Sequence, residues 1–200
     1  MKNVKSTKSG FDFESHIETQ LFSINRFSDD VLNQGFCNVH NYCDLKNTVP
    51  NGDINKFLLS QGNNIYLLKN HPLYNYLQES IEYCIKIVRF GVVYDCYIEC
   101  KFADVNGTTY QKMGHYITEH QITHHKNPNS YLVLVYDGQQ FQGNTKSVLQ
   151  VENIKENYIK YNFKQLILDV SEFENVFLEK LRVYNGDFSK IFVEMKKEGY

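Results

Sequence analysis

Glu99, Cys100 and Lys101 form a Glu-x-Lys triplet inside the otherwise largely apolar run Val92 to Phe102. The triplet holds a carboxylate able to ligate a metal beside an ammonium fixed two residues away. Metal-assisted hydrolysis of a phosphodiester needs that combination. Glu82 offers a second acid and Asp95 a third. Asp95 shares a strand with Glu99, and four residues at ~3.3 Å each separate the two by about 13 Å, too far for one ion unless the strand bends or bulges.

The elements that must position these groups are legible around them. Val92 to Phe102 is rich in β-branched and aromatic residues and lacks Pro and Gly, which predicts a strand. Ser80 to Arg89 reads the same way, and Phe90-Gly91 supplies a two-residue turn, chemically poorer than Asn-Gly. With those two residues as the loop, Arg89 pairs with Val92, Val88 with Val93, Lys86 with Asp95, Cys84 with Tyr97 and Glu82 with Glu99. Opposed side chains have Cβ atoms roughly 4.5–5.5 Å apart, so Glu82 and Glu99 can share a divalent ion. The other face (Ile81, Tyr83, Ile85, Ile87, Tyr94, Cys96, Ile98, Cys100) is an apolar surface ready for a helix. Lys86 and Asp95 are expected as an exposed cross-strand ion pair.

Glu99-Cys100-Lys101, with Phe102 and the following Asn106-Gly107-Thr108-Thr109-Tyr110-Gln111-Lys112, resembles the PD-(D/E)XK nucleases, the superfamily that includes most type II restriction endonucleases. The resemblance extends upstream to Gly10-Phe11-Asp12-Phe13-Glu14 and downstream to the strand Tyr131 to Asp137. It implies a mixed α/β fold with a restriction-endonuclease-like core: a central mixed sheet flanked by helices. It also implies a Mg²⁺-dependent DNA endonuclease, with Mn²⁺ as a substitute, acting on double-stranded DNA as a homodimer. Glu82, Glu99 and the carbonyl of Cys100 would hold the ion, with Glu14 as a further ligand. Lys101 would orient or deprotonate the attacking water, and Lys112 or Gln111 would hold the adjacent phosphate. Arg89, Thr108, His115, His124, His125 and Lys126 are candidate DNA contacts. The family's first acid is usually an Asp, often after Pro, and no Pro-Asp occurs here. Glu82 is the preferred substitute, with Glu79 in a shifted register and Asp95 as alternatives. A structure-specific or junction-resolving nuclease, and a non-catalytic nucleic-acid-binding module on the same fold, are the rival expectations.

Length and composition bound these readings. Two hundred residues, 42% hydrophobic, with mean hydropathy −0.46, suit one globular domain over residues 1–200. No run of 18 apolar residues and no signal sequence is apparent, so a cytoplasmic protein with no membrane span is expected. A net charge of −2 argues against a protein that coats DNA indiscriminately. Five cysteines without C-x-x-C spacing predict reduced thiols.

Along the rest of the chain, residues 1–9 read as a mobile basic tail and Phe11 to Asn25 as an amphipathic helix, with Glu18 on its solvated edge. Residues 26–62 read as an irregular insertion with short helices, a candidate for DNA or dimer contacts. Ile65 to Leu68 is a strand, Thr108 to His124 a helix with Met113 and Ile117 inward, and Lys164 to Asp169 another strand. Val148 to Tyr158 is helical in pattern. Ser171 and Glu174 form a capping box for a helix through Leu181, and Phe188, Ile191, Phe192 and Met195 mark a last helix.

Overall fold

A computed structural model describes residues 10–24, 39–62, 64–72, 80–103, 109–143 and 145–200. They build an α/β protein around a six-stranded mixed sheet whose spatial order follows the chain: β1 (Val39–Asn41), β2 (Asn64–Pro72), β3 (Ser80–Arg89), β4 (Val92–Phe102), β5 (Ser130–Asp137) and β6 (Gln165–Asp169). The pairs β2–β3 and β3–β4 are antiparallel; β1–β2, β4–β5 and β5–β6 are parallel. Seven helices accompany the sheet: α1 (Gly10–Phe22), α2 (Tyr42–Thr48), α3 (Ile54–Ser60), α4 (Thr109–Lys126), α5 (Lys146–Ile154), α6 and α7 (Phe188–Lys197). Helix α5 runs on into a π-helical turn, Lys155–Ile159, and α6 joins Val170–Glu172, a π-helical turn Phe173–Phe177, and Leu178–Val183.

Both sheet faces are buried, because alternate residues of the central strands are apolar on each side. Phe13, Ile17 and Leu21 of α1, with apolar residues of α6 and α7, cover Tyr83, Ile85, Ile87, Cys96 and Ile98. Ile54 and Leu58 of α3, Met113, Tyr116 and Ile117 of α4 and Val151 of α5 cover the opposite face.

The β3–β4 hairpin has the predicted register, from Arg89 opposite Val92 to Tyr83 opposite Ile98. Its turn residues Phe90 and Gly91 are both left-handed, with φ of 50° and 76°, the twist that a two-residue hairpin loop requires. One assignment differs. Ile81 packs on the α3–α4 side and not with Tyr83. Asn70 of β2, at φ 55°, breaks the pleat between the pairs Lys69–Tyr83 and His71–Ile81, so side chains on either side of the break emerge on opposite faces. Glu82 lies at that break.

Further differences have local causes. Residues 39–62 carry β1 as well as short helices, and Asn41 caps α2 by accepting the N–H groups of Cys43 and Asp44. The helix after β6 is opened by a capping box of Asp169 and Glu172, not Ser171 and Glu174. Asp169 accepts the Glu172 N–H at 2.7 Å and Glu172 accepts the Asp169 N–H at 2.8 Å. At the exit of β5, Gly138 (φ 113°) passes so close to Ala103 that a Cβ would lie 2.4 Å from its carbonyl oxygen. That approach fixes the chain immediately after Lys101 and Phe102. Residues 1–9, 25–38, Glu79 and Thr108 lie outside the described residues.

Candidate active site

Glu82, Glu99 and Lys101 meet at the carboxyl-terminal end of β4. Glu99 is fully buried; one carboxylate oxygen contacts the Lys101 ammonium and the other, Oε2, has no hydrogen-bond partner among the described residues. Glu82 reaches across from β3. Its Oε2 accepts the backbone N–H of Cys100 at 3.2 Å, and its Oε1 lies 3.8 Å from Lys101 Nζ. The ladder ends at Tyr83–Ile98, so Glu82 takes over the strand's bonding to β4 with its side chain. The carbonyl of Cys100 leaves an extended strand on the same edge as its N–H, toward Glu82. Glu14 of α1 lies close enough to feel Glu82, Lys69 and Lys101 electrostatically.

The electrostatics are those of a crowded acid pair. Burial, then a hydrogen bond to Glu99 and its charge, push the Glu82 carboxyl up to about 9. Burial and the nearby Glu82 also raise Glu14. For Lys101, burial opposes the charge, but Glu99 and Glu82 outweigh it and its pKa is raised. The Lys101 side chain is only 12% exposed, and its ammonium sits 4.7 Å from the centre of the Tyr116 ring. Tyr116 was not singled out from the sequence, although it follows Met113 by three positions on the buried side of α4. Through Tyr116, α4 reaches the site.

The sequence-predicted residues divide between two ends of the sheet. Glu82, Glu99, Cys100, Lys101 and Glu14 come together. Lys112 is exposed in the first turn of α4, at the same end, and the side chain of Gln111 lies outside the described residues. His115 packs its ring 5.7 Å from that of Tyr116. Arg89 pairs with Val92, nine residues and about 30 Å of strand from Lys101. His124, His125 and Lys126 close α4 beside the start of β5, where His124 Nδ1 is 3.5 Å from Ser130 Oγ, also far from the acids. Glu18 is not on a solvated edge: it accepts Lys69 Nζ at 3.1 Å and the Tyr83 hydroxyl at 2.9 Å, bracing α1 beside Glu14.

Asp95 belongs to a different structure. Its Oδ1 is 2.8 Å from Lys86 Nζ, and both side chains are 3% exposed. The pair is therefore buried, not exposed as the register alone suggested. Asn127 donates to Asp95 Oδ2 at 2.9 Å, the Tyr97 hydroxyl donates at 3.4 Å, and Lys86 also donates to Asn55 Oδ1 of α3 at 3.1 Å. The pair forms part of the wall of a cavity of about 420 Å³ shared with His71, Tyr42 and Asp53. Asp95 cannot serve as the first acid of the Glu99 site.

A divalent cation fits the donor set. Glu99 Oε2 is a buried oxygen lacking a partner among the described residues, and burial together with Glu99 raises the Glu82 carboxyl, so a cation between the two would satisfy both. Among the described residues no group of three or more His, Cys, Asp or Glu is arranged to hold a metal, so the ion would rest on two carboxylates, a carbonyl and water. Mg²⁺, which takes oxygen ligands and keeps several waters, suits such a set. No helix of the described residues is long and apolar enough to cross a membrane. Compared with protein-family models, curated proteins and solved structures, the chain matches none.

Proposed function

We propose that the protein is a Mg²⁺-dependent DNA endonuclease built on a PD-(D/E)XK, restriction-endonuclease-like core. The observation that carries this reading is the buried Glu99–Lys101 pair, with Glu82 of the neighbouring strand held against the backbone between them. The element order supports it: helix α1, the antiparallel meander β2–β3–β4, helix α4 and the parallel strand β5 follow the sequence resemblance.

In this reading Glu82, Glu99 and the Cys100 carbonyl hold the ion, which supplies charge neutralisation and a polarised water when bound. Lys101 carries its charge at neutral pH, since its pKa is raised. It therefore acts as a donor that orients the water and offsets charge on the phosphorane, and not as the base that removes a proton. Tyr116 holds the ammonium in place. Lys112, in the first turn of α4, would hold the flanking phosphate. Double-stranded DNA is the substrate, and a homodimer is the form that suits a two-fold recognition sequence.

Incubating supercoiled plasmid with the pure protein and Mg²⁺ tests the reading. Discrete fragments identify a sequence-specific enzyme, and a smear a nonspecific one. Cleavage confined to branched DNA identifies a junction-resolving enzyme. DNA that is bound but left intact in Mg²⁺ and Mn²⁺ would replace the enzyme with a binding module.

A further inference from the structure

Beyond β6, Lys155, Lys160 and Lys196 converge on a second cavity, of about 130 Å³. Two of the three ammoniums have acidic partners: Lys155 Nζ lies 3.4 Å from Glu172 Oε2, and Lys160 Nζ 3.3 Å from Glu156 Oε2. Lys196 has none. Its Nζ is shielded from water and makes no hydrogen bond. An ammonium out of water without a counter-charge, beside a second ammonium, is a costly arrangement. Burial, and then Lys155, bring its pKa down to about 8. An anion in the cavity would remove both penalties.

The cavity is also placed relative to the acids. Lys155 Nζ is 5.7 Å from the ring centre of Tyr136. Tyr136 is the register partner of Lys101 in the adjacent parallel strand, with the two backbones about 4.8 Å apart. Lys155, on the rim of the cavity, therefore flanks the carboxyl-terminal edge of β5 and β6, next to the end of β4 that carries Glu99 and Lys101. The small volume suits a tetrahedral oxyanion, and Glu156 in the lining disfavours a large polyanion entering whole.

We propose that Lys196, with Lys155 and Lys160, forms a binding site for a phosphate group. Two sources share that chemistry: free inorganic phosphate, and a backbone phosphate of a polynucleotide lying along the strand edge. The second rests on the nuclease reading; the first does not.

Thermal melting in inorganic phosphate against chloride, at matched ionic strength, tests the site. At ten times the dissociation constant, phosphate should raise the wild-type Tm by about 3–5 °C. Lys101→Ala should keep that rise, Lys196→Arg should keep most of it, and Lys196→Gln should lose it. In chloride, Lys196→Gln should melt at or above wild type, because it removes an uncompensated buried charge. No rise in wild type, or an equal rise in Lys196→Gln, would overturn the site. Titration of a fluorescent duplex then assigns the source. A several-fold weaker affinity in Lys196→Gln identifies the polynucleotide, and an unchanged affinity identifies free phosphate. If wild type fails to cut DNA while the phosphate response still depends on Lys196, the nuclease reading falls and the anion site stands.

Discussion

Glu82 Oε2 accepts the backbone N–H of Cys100 at 3.2 Å, which ties an acid of β3 to the strand residue lying between Glu99 and Lys101. The bond fixes where the Glu82 carboxylate can be, so its distance from Glu99 is set by the sheet and not by a flexible side chain. Two carboxyls held this way cannot both ionise cheaply without a cation. pH dependence and stability are thereby linked at one point of the fold, together with the proposed metal dependence.

The first consequence concerns pH. The Glu82 carboxyl is raised from its ordinary 4.5 to about 9 in the folded protein. A raised acid binds its proton more tightly when folded, so its contribution to stability is complete below about pH 4.5 and is lost as pH rises toward 9. In EDTA, the Tm should therefore fall between pH 5 and 9, and Glu82→Gln should flatten that slope and melt above wild type at pH 8. Millimolar Mg²⁺ or Mn²⁺ should raise the wild-type Tm at pH 8 and leave that of Glu82→Gln nearly unchanged. Melting curves across pH, with and without the ion, check both.

Asp95 should prove structural. Asp95→Ala leaves the Lys86 ammonium buried without its partner, which typically costs about 3–5 kcal/mol. Urea unfolding should show that loss, whereas the double variant Lys86→Met/Asp95→Leu should recover most of it. A loss within about 1 kcal/mol for Asp95→Ala would mean that water reaches the pair.

Tyr116 is predicted to act through Lys101. A cation over a desolvated aromatic ring is worth about 2 kcal/mol, so Tyr116→Leu should lower kcat by roughly tenfold or more with little change in KM. Tyr116→Phe, which keeps the ring, should cleave at close to the wild-type rate. Equal losses in both variants would point to the phenolic hydroxyl instead.

The hairpin was legible in the sequence because its polar residues agree with one register. Only a two-residue loop at Phe90-Gly91 sets Lys86 against Asp95 and Glu82 toward Glu99. The burial of that Lys86–Asp95 pair was not legible, since its cover comes from Asn55 of α3 and Asn127 after α4, distant in the chain. The break at Asn70 was hidden as well: one left-handed residue leaves the hydrophobic alternation of β2 looking continuous while it inverts the faces beyond it. After β6, two overlapping capping patterns compete, and Asp169 prevails because it ends the strand where the helix must begin. Strand β1 has three residues and pairs parallel to β2, too short for a periodic signal.

The most direct measurement of the proposed chemistry compares single-turnover cleavage of plasmid DNA in Mg²⁺ with duplex affinity in Ca²⁺, for wild type and Lys101→Ala. Lys101 is charged, confined by Glu99 and Tyr116, and expected to act where charge develops on the phosphate. Lys101→Ala should thus slow cleavage by at least about a thousandfold, on the order of 4 kcal/mol of transition-state stabilisation, with affinity changed by no more than a few-fold. Cleavage by Lys101→Ala at the wild-type rate, or a loss of binding equal to the loss of rate, would contradict the assignment of Lys101 to the hydrolytic step.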